Sequence, residues 1–462
     1  MPSLPAAAPR PRRVAGGLVL LLAVLGAVFT ARAETRDVAT FLTDGMLDRQ
    51  QRRVLEEPGE WTDAKQRMLI RVLATLDVPA PLMIPWKDAA SDLAARGAEV
   101  ADALVRVRGR ATFVAELPLT DEQRLLAGGK PVDLVRIVSA DGVAVDVATR
   151  RGPRSWPRWQ VIDEPAEVVG LPLATAGGPR PAPADAAATA WPGQPAALLL
   201  AADGVAWHPD TPLGRLGMDY SLFDTVEDGG RIKAGDNPAL FALLAAAGRP
   251  EAAAVRGLEL TTDRILPLID PRQKWFAGHR GDAVTVTGIA RRATRVAIDE
   301  PVRQRQVGAD HYWEVFVFAD TPLLKVNDRV QDDYPFVCCV RSLPAGFPGG
   351  DRISERVSVT GFALKRYGYP LPDLDISSSQ GDRETRGQRM ETALLVGGTP
   401  VWERPAPVVD GRGLSTIFAM LAAAVGLLLA FGAWRMQRDA GRAAARKRAQ
   451  LPDRLELPDD RR

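Results

Sequence analysis

The sequence predicts a mainly β protein of the α+β class, built from two tandem small β-barrel units and a C-terminal transmembrane helix. Two short segments, 102–111 and 282–291, carry the same pattern V-x-V-x-G, which is typical of bent strands. An apolar cluster with helical spacing precedes each of them, at 64–76 and 237–248. A long apolar run, residues 414–434, has no ionisable side chain.

The first 33 residues have the composition of a secretory signal peptide. Three arginines precede an uncharged apolar run at 14–30, and an A-x-A cleavage site follows at 31–33. We therefore predict that residues 1–33 are removed and that the mature chain begins near Glu34. An uncleaved signal anchor is the alternative, because the apolar run is close to the lower limit for spanning a bilayer.

The run 414–434 has the properties of a single transmembrane helix. At 1.5 Å rise per residue it would cover about 30 Å, the thickness of a hydrocarbon core. A basic tail, 435–462, follows Trp434 directly, and positively charged flanks stay in the cytoplasm. The sequence therefore predicts a single-pass protein of the cell membrane, with residues 34–410 outside (in the periplasm, if the cell is Gram-negative). A buried helix of a soluble domain is the alternative.

Charge and cysteine content exclude several classes of protein. The chain has 59 Lys+Arg and 57 Asp+Glu, and because basic residues concentrate at both ends, the segment 34–410 is net acidic. This balance argues against a nucleic-acid partner, which requires a basic face. The two cysteines, Cys338 and Cys339, are adjacent and point to opposite faces of a strand, which excludes a disulfide-stapled domain. One buried thiol and one that faces a neighbouring residue is the favoured interpretation, and a redox-active pair is the alternative.

Self-comparison indicates that the outer region is a duplication with units at 34–212 and 213–409. Gly109 and Gly288 are 179 residues apart, and the same offset matches Asp141 with Asp320, each predicted to cap a turn. Further matches follow at larger offsets and in the same order, with about 12 extra residues in the second copy: Gly170 with Gly361, and Trp207 with Trp402.

Period-2 alternation predicts short strands at 104–108, 134–138, 143–147, 284–287, 314–318 and 356–360, with long loops at 177–195 and 372–389. This order resembles the OB-fold, in which a bent first strand and a final strand both carry V-x-V-x-G. The resemblance implies small curled barrels, a fold that often binds oligonucleotides or oligosaccharides, although a fold does not assign a function. The first copy departs from the pattern, because Pro172 interrupts its last predicted strand.

Residues that could carry chemistry are few and scattered. The three histidines, His208, His279 and His311, show no metal-ligand spacing, and each is predicted to be structural. The adjacent pair Asp332 and Asp333 is predicted to be a solvated turn rather than an acid–base pair. Four tryptophans were considered as a stacking surface for sugar or peptide, with core packing favoured: Trp156, Trp159, Trp275 and Trp313.

The sequence predicts no catalytic residue, no metal site and no cofactor. The favoured hypothesis is a non-catalytic, membrane-anchored interaction or assembly module that binds a protein or an envelope component. The alternative is an envelope enzyme of hydrolase type with an unfamiliar active site. An enzyme would concentrate unpaired polar groups in one cleft of one copy, whereas an interaction module would show a matching exposed groove or strand edge in both.

Overall fold

The computed structural model describes residues 38–404, apart from 46, 58, 79, 176–177, 183–188, 327–328 and 371–388, together with residues 412–449. It shows a mixed α/β fold with two sheets, of six and seven strands, and an apolar C-terminal helix. Both sheets belong to a compact unit that ends at Glu403, and the C-terminal helix belongs to a second unit. The predicted signal peptide lies outside the described residues.

The strands fall into a first sheet, β1–β6, and a second sheet, β7–β13. Those of the first sheet are β1 (Ser91–Asp92), β2 (Val105–Glu116), β3 (Asp133–Ser139), β4 (Ala144–Thr149), β5 (Gln160–Ala174) and β6 (Leu198–Trp207). Those of the second are β7 (Leu258–Glu259), β8 (Ala283–Ala297), β9 (His311–Val326), β10 (Arg329–Val340), β11 (Glu355–Pro370), β12 (Arg389–Gly397) and β13 (Val401–Trp402). The six segments predicted from alternation lie in β2, β3, β4, β8, β9 and β11, which confirms them apart from single end residues.

The helices are α1 (Val38–Asp44), α2 (Arg49–Arg52), α3 (Asp63–Leu76), α4 (Ala80–Asp88), α5 (Leu93–Arg96), α6 (Asp121–Leu126), α7 (Pro212–Arg215), α8 (Asn237–Ala247), α9 (Thr262–Ile269), α10 (Phe276–His279), α11 (Pro301–Val307) and α12 (Arg412–Ala449). The two predicted helical segments are α3 and α8. The Thr62 hydroxyl caps α3 by accepting the Lys65 N–H, and α8 has a proline in its first turn and Gly248 at its C-terminal cap.

The two sheets have the same strand order. In the first sheet the order is β2-β3-β4-β6-β5, and β2 also pairs with β5, so these pairings form a ring. The second sheet has the order β8-β9-β10-β12-β11, and β11 pairs with β8. In each ring the third and fifth strands are parallel and the other pairs are antiparallel. A two-residue strand, β1 or β7, adds to the first strand of each ring.

Along the chain, the V-x-V-x-G strands are not the first and last strands of each ring, as the sequence interpretation predicts. They are the first and the fourth in chain order, β2 with β5 and β8 with β11. The fifth strand is the one that ends in Trp207 or near Trp402. β5 continues through Pro172, with a register shift against β6 between Pro172 and Ala174. The proline therefore bends the strand without ending it.

Each sheet has two apolar layers, one on each face. Alternation along β3 shows this directly, because Val135 and Ile137 pack into one core cluster and Leu134 into another. The outer face of the first sheet is covered by α3, whose buried residues include Leu69 and Leu73. The outer face of the second sheet is covered by α8 in the same way.

Gly109 and Gly288 lie where the first strand of each ring bends against the second. A Cβ atom on Gly109 would lie 2.0 Å from the carbonyl oxygen of Val138, and one on Gly288 would lie 2.1 Å from that of Phe318. A side chain fits at neither position. A β-bulge follows each glycine at the same distance along the strand, after Ala111 in β2 and after the corresponding residue in β8.

Strand register corrects one of the sequence matches. Gly109 lies opposite Ser139, and Gly288 lies opposite Ala319, so corresponding positions in β3 and β9 are 180 residues apart. The predicted match of Asp141 with Asp320, at an offset of 179, is therefore wrong by one residue. A one-residue slip exchanges the two faces of a strand.

The predicted turn-capping role of the same two aspartates is also wrong. Asp141 lies in the turn after β3, but the hydroxyl of Ser139 accepts the Val143 N–H there, at 3.2 Å. Asp320 lies inside β9, paired with Asp333 of β10. The second sheet has a longer hairpin at this place, since β9 and β10 have 16 and 12 residues where β3 and β4 have 7 and 6. The offset between matched residues of the two sheets increases at this hairpin.

Candidate functional site

One tryptophan in each sheet, Trp207 in the first and Trp402 in the second, makes the same kind of contacts. The indole N–H of Trp207 donates to Glu164 Oε2 at 2.8 Å, and that of Trp402 donates to Glu355 Oε2 at 2.9 Å. An aromatic ring meets each indole at a steep angle: Trp156 lies 6.2 Å from Trp207, centre to centre, and the ring of Phe347 lies 5.4 Å from Trp402. Trp207 therefore joins β6 to β5, and Trp402 joins the short strand β13 to β11.

The four tryptophans considered as a stacking surface belong to three different cores. Trp156 is 3 % exposed inside the first sheet, and Trp159 packs against the outer layer of that sheet. Trp275 and Trp313 pack against the core of the second sheet. The structure thus distributes them as packing residues, and they share no common face.

The Nδ1 atom of each histidine has at least one hydrogen-bond partner. The Nδ1 of His208 lies 2.9 Å from the Met218 carbonyl oxygen, which can only accept, so Nδ1 carries the proton. His279 Nδ1 lies 2.8 Å from Asp282 Oδ2, and its ring stacks on Trp275 at 4.5 Å. His311 lies 2.5 Å from Asp310. No group of three or more metal-ligating side chains occurs in the described part of the chain.

The adjacent cysteines point into different cores. Cys338 packs inside the ring of the second sheet, and Cys339 packs in the outer layer beneath α8. Both side chains are fully buried. Burial raises the pKa of Cys338 to about 12, and burial with the nearby Glu314 carboxylate raises that of Cys339 well above its ordinary value. Neither thiol has the thiolate character that redox chemistry requires.

We expect that a maleimide reagent at neutral pH leaves both thiols unmodified in the folded protein. Unfolding in guanidinium chloride should expose them, and two equivalents of reagent should then react per chain. Mass spectrometry of the intact protein measures both states. Rapid labelling of either cysteine before unfolding would contradict the buried positions and restore the redox interpretation.

The adjacent pair Asp332 and Asp333 lies in β10. Asp333 makes an ion pair with Arg291 across the second sheet, and the side chain of Asp332 lies outside the described ones. Asp333 stands within β10 rather than in a turn, so the sequence prediction of a solvated turn is wrong. The carboxylate is engaged by an arginine, as is typical of a surface ion pair.

The first sheet carries an open groove, which we call the charged groove. Two adjoining cavities of about 620 and 570 Å³ form it and share Arg110 and Asp163. The strands β2, β3 and β5 supply one end, and the segment after β6 supplies the other. Its lining residues are Arg108, Gly109, Arg110, Thr112, Val138, Ser139, Ala140, Asp163, Glu164, Pro165, Trp207, His208, Pro209, Asp210, Gly214 and Arg215.

The arginines of the charged groove and the carboxylates Asp163, Glu164 and Asp210 are engaged within the protein. Arg110 makes an ion pair with Asp163, which holds the pKa of that carboxyl below its ordinary value. Arg215 Nη1 lies 2.6 Å from Asp210 Oδ1. Side by side, each pair presents a donor and an acceptor to a ligand.

Beneath the groove, the connection between the sheets is fixed by Asp219. Its Oδ1 accepts the backbone N–H of Trp207 and of Ser221, both at 2.9 Å. Burial raises the pKa of the Asp219 carboxyl, although these hydrogen bonds and His208 oppose the shift. Since Nδ1 of His208 is bonded to a carbonyl, its Nε2 is an acceptor in the neutral ring. The groove thus has an imidazole acceptor held in one orientation.

Two arginines of the charged groove have no arginine at the corresponding positions of the second sheet. Counting from the paired glycines, Thr287 and Ile289 stand where the first sheet has Arg108 and Arg110. The exposed Thr287 hydroxyl instead donates to Ser358 across the strands, at 3.0 Å. The two rings therefore share the same strand order, whereas the residues at these surface positions differ.

Sequence reasoning singled out Gly109, Trp207 and His208 for other reasons and missed the charged residues of the groove. Glu164 and Glu355 are 191 residues apart, the offset of Gly170 and Gly361, and this match was available in the sequence. The other groove residues come from strands that meet only after folding. A comparison with protein families finds no match to this chain, and neither does a comparison with curated proteins.

Proposed function

We propose that the chain is a single-pass membrane protein whose extracytoplasmic part is a duplicated pair of OB-like barrels that bind a protein or an envelope component without catalysis. The observation that carries this proposal is the charged groove, an open recess on one unit in which arginines and carboxylates are already paired. Such a recess offers contacts to a ligand, and a carboxylate whose pKa an arginine lowers, as Arg110 lowers that of Asp163, is a weak general base at neutral pH.

The duplication is supported by contacts at corresponding positions. Both rings have the strand order 1-2-3-5-4, which is also that of the OB-fold. The bend glycines Gly109 and Gly288 meet a carbonyl of the second strand at nearly the same distance. The bonds from Trp207 and Trp402 to their glutamates are also repeated. Two units with the same strand arrangement and different surface residues are the expected result when duplicated domains diverge to bind different ligands.

The anchoring is supported by α12. Its segment Thr416–Ala449 is long and apolar enough to cross a membrane, and its side chains are exposed throughout. Past Trp434 the same helix carries four arginines on one face, since residues 435, 438, 442 and 446 fall within an arc of about 80° at 100° per residue. Under the positive-inside rule this end is cytoplasmic.

Protease added to intact spheroplasts should digest residues 34–410 and leave the tail, 435–462, protected. The bilayer shields the cytoplasmic end, so an antibody to a tag at the C-terminus should detect a short membrane-bound fragment. Permeabilised spheroplasts are the control and should lose the fragment. Loss of the tag before permeabilisation would contradict the proposed orientation.

Binding is tested by purifying the full-length protein from its own membrane, with and without changes in the charged groove. Arg110→Glu with Arg215→Glu reverses two of the three groove arginines and should reduce recovery of the specific partner at least about tenfold, because like charges replace complementary ones. Arg124→Glu, on the exposed helix α6, is the matched control and should keep the partner. Equal recovery with the groove variant and the control would contradict the proposal.

A second candidate is an envelope hydrolase. It is favoured by His208, whose Nε2 is an acceptor in the groove and whose ring is oriented by a carbonyl, the arrangement that a general base needs. A panel of ester and glycoside substrates tests it with the full-length protein. Turnover that His208→Gln abolishes would favour this candidate over the binding module, and turnover unaffected by this change would assign no role to the groove.

A further inference from the structure

One segment of the chain is held on the outer face of the first sheet by its tryptophan. Phe113 of β2 and Arg136 of β3 are cross-strand partners. Trp191 meets the Phe113 ring edge-on at 5.4 Å, and the Arg136 guanidinium lies 5.2 Å from the Trp191 ring centre. Arg136 Nη1 also donates to the carbonyl of Gln194, at 2.7 Å. Arg136 and Phe113 thus form the surface against which the Trp191 indole packs, and we call this surface the seat.

The second sheet has the same pair with the two residues exchanged. At the corresponding register Arg292 of β8 is the cross-strand partner of Phe316 of β9. The Arg292 guanidinium lies 5.2 Å from the Phe316 ring centre. The side chain of Arg292 is 45 % exposed, whereas that of Arg136 is 6 % exposed. The second sheet therefore presents to solvent an arginine whose counterpart is covered by an indole.

The contacts of Arg292 indicate which chemistry it can accept. Its Nε donates to the Thr294 hydroxyl at 2.9 Å and lies 3.4 Å from Asp351 Oδ1. The neighbouring Arg291 and Arg295 make ion pairs with aspartates as well. An anionic ligand would compete with these carboxylates. The flat face of a guanidinium stays available for an aromatic ring when its edges are hydrogen-bonded.

We propose that the outer face of the second sheet at Arg292 is a docking site for an aromatic side chain on an extended segment of a partner protein. The ring lies against Arg292 as Trp191 lies against Arg136 and Phe113. This inference rests on the proposed binding function and its duplication, and it adds a partner chemistry and a second surface, separate from the charged groove.

The probe is a peptide with the sequence of residues 189–196, Thr-Ala-Trp-Pro-Gly-Gln-Pro-Ala, which is the segment seated on the first sheet. Its binding to the full-length protein in nanodiscs is measured by saturation-transfer NMR. The seat on the first sheet is occupied by the chain's own Trp191, so the free peptide reports on the second sheet. Binding with saturation of the indole protons is the expected result.

Three variants and one altered peptide distinguish the outcomes. Arg292→Ala should weaken binding about tenfold, and Arg292→Lys should weaken it less, since an ammonium keeps the charge and loses the planar face. Arg295→Ala removes a neighbouring charge from the same strand and should bind as the unchanged protein does. The peptide with Trp replaced by Ala should not bind.

The proposal is overturned if the unchanged protein does not bind the peptide, if the peptide without Trp binds equally well, or if Arg292→Ala has no effect. It is also overturned if Arg295→Ala weakens binding as much as Arg292→Ala, because charge would then explain the affinity. Retention of a membrane partner that depends on the charged groove, with no peptide binding, would overturn this inference and leave the proposed function standing.

Discussion

Replacing Lys365 with methionine is expected to lower the free energy of unfolding by about 3–5 kcal/mol, the cost of leaving a buried charge unpaired. Lys365 Nζ lies 2.7 Å from Asp236 Oδ2, and the two side chains are 0 % and 1 % exposed. Asp236 also accepts the backbone N–H groups of Lys233 and Glu227. The pair therefore ties the segment before α8 to β11, and methionine would leave the carboxylate without its cation.

Guanidinium chloride unfolding followed by tryptophan fluorescence measures this change. Adding Asp236→Asn to Lys365→Met should recover part of the loss, because the amide oxygen keeps a backbone hydrogen bond and carries no charge. Lys233→Met is the matched control, since Lys233 and Glu227 form an exposed pair, and exposed pairs contribute little to stability. A loss for Lys365→Met no larger than that of the control would show that the ion pair contributes little.

Gly109→Ala is expected to destabilise the first sheet by about 3 kcal/mol or more, at the upper end of overpacking effects. The new methyl group would approach the Val138 carbonyl oxygen to 2.0 Å, and two paired strands cannot separate there without losing hydrogen bonds. Gly288→Ala should behave alike in the second sheet, because its methyl group would lie 2.1 Å from the Phe318 oxygen.

Thermal unfolding of the two variants checks this expectation. Gly278→Ala is the control, since no atom lies within 4 Å of the added Cβ and the residue is in the short helix α10. Its melting temperature should stay within a few degrees of the unchanged protein. Melting temperatures for Gly109→Ala and Gly288→Ala equal to that of the control would contradict the close approach.

The features that could be predicted from sequence are those set by local periodicity. Val105 and Val107 alternate with polar residues because one face of β2 is buried, and Gly109 ends the pattern because the next strand leaves no room for a side chain. The helices α3 and α8 were found because their apolar residues recur at helical spacing. The apolar helix α12, which is long enough to cross a membrane, follows from the length of its run and its lack of charge.

The register between corresponding strands of the two sheets could not be predicted from residue identities alone. A gap-free alignment placed Asp141 opposite Asp320, and that choice sets Val135 against Glu314, a buried position against a half-buried carboxylate. Shifting by one residue aligns Val135 with Val315, and both are fully buried. An alignment that matches buried positions with buried positions, rather than identical residues with each other, gives the correct register.

The groove and the buried ion pairs could not be predicted from the sequence, for a different reason. Arg110 and Asp163 lie on strands that are neighbours only because the ring closes, and no spacing in the sequence reports that closure. Lys365 and Asp236 are likewise 129 residues apart. Long-range electrostatic partners carry no periodic signal, so the candidate site had to come from the folded chain.

No described strand is shared between the two sheets, and this separation has a consequence for the order of folding. The last strand of the first ring ends at Trp207, so the hydrogen bonds of that ring can all form while more than half of the chain is still being synthesised. Domains of larger proteins generally fold as units from the N-terminus. The first sheet can therefore be complete before β8 exists, and intermediates with strands paired between the two sheets are avoided by timing.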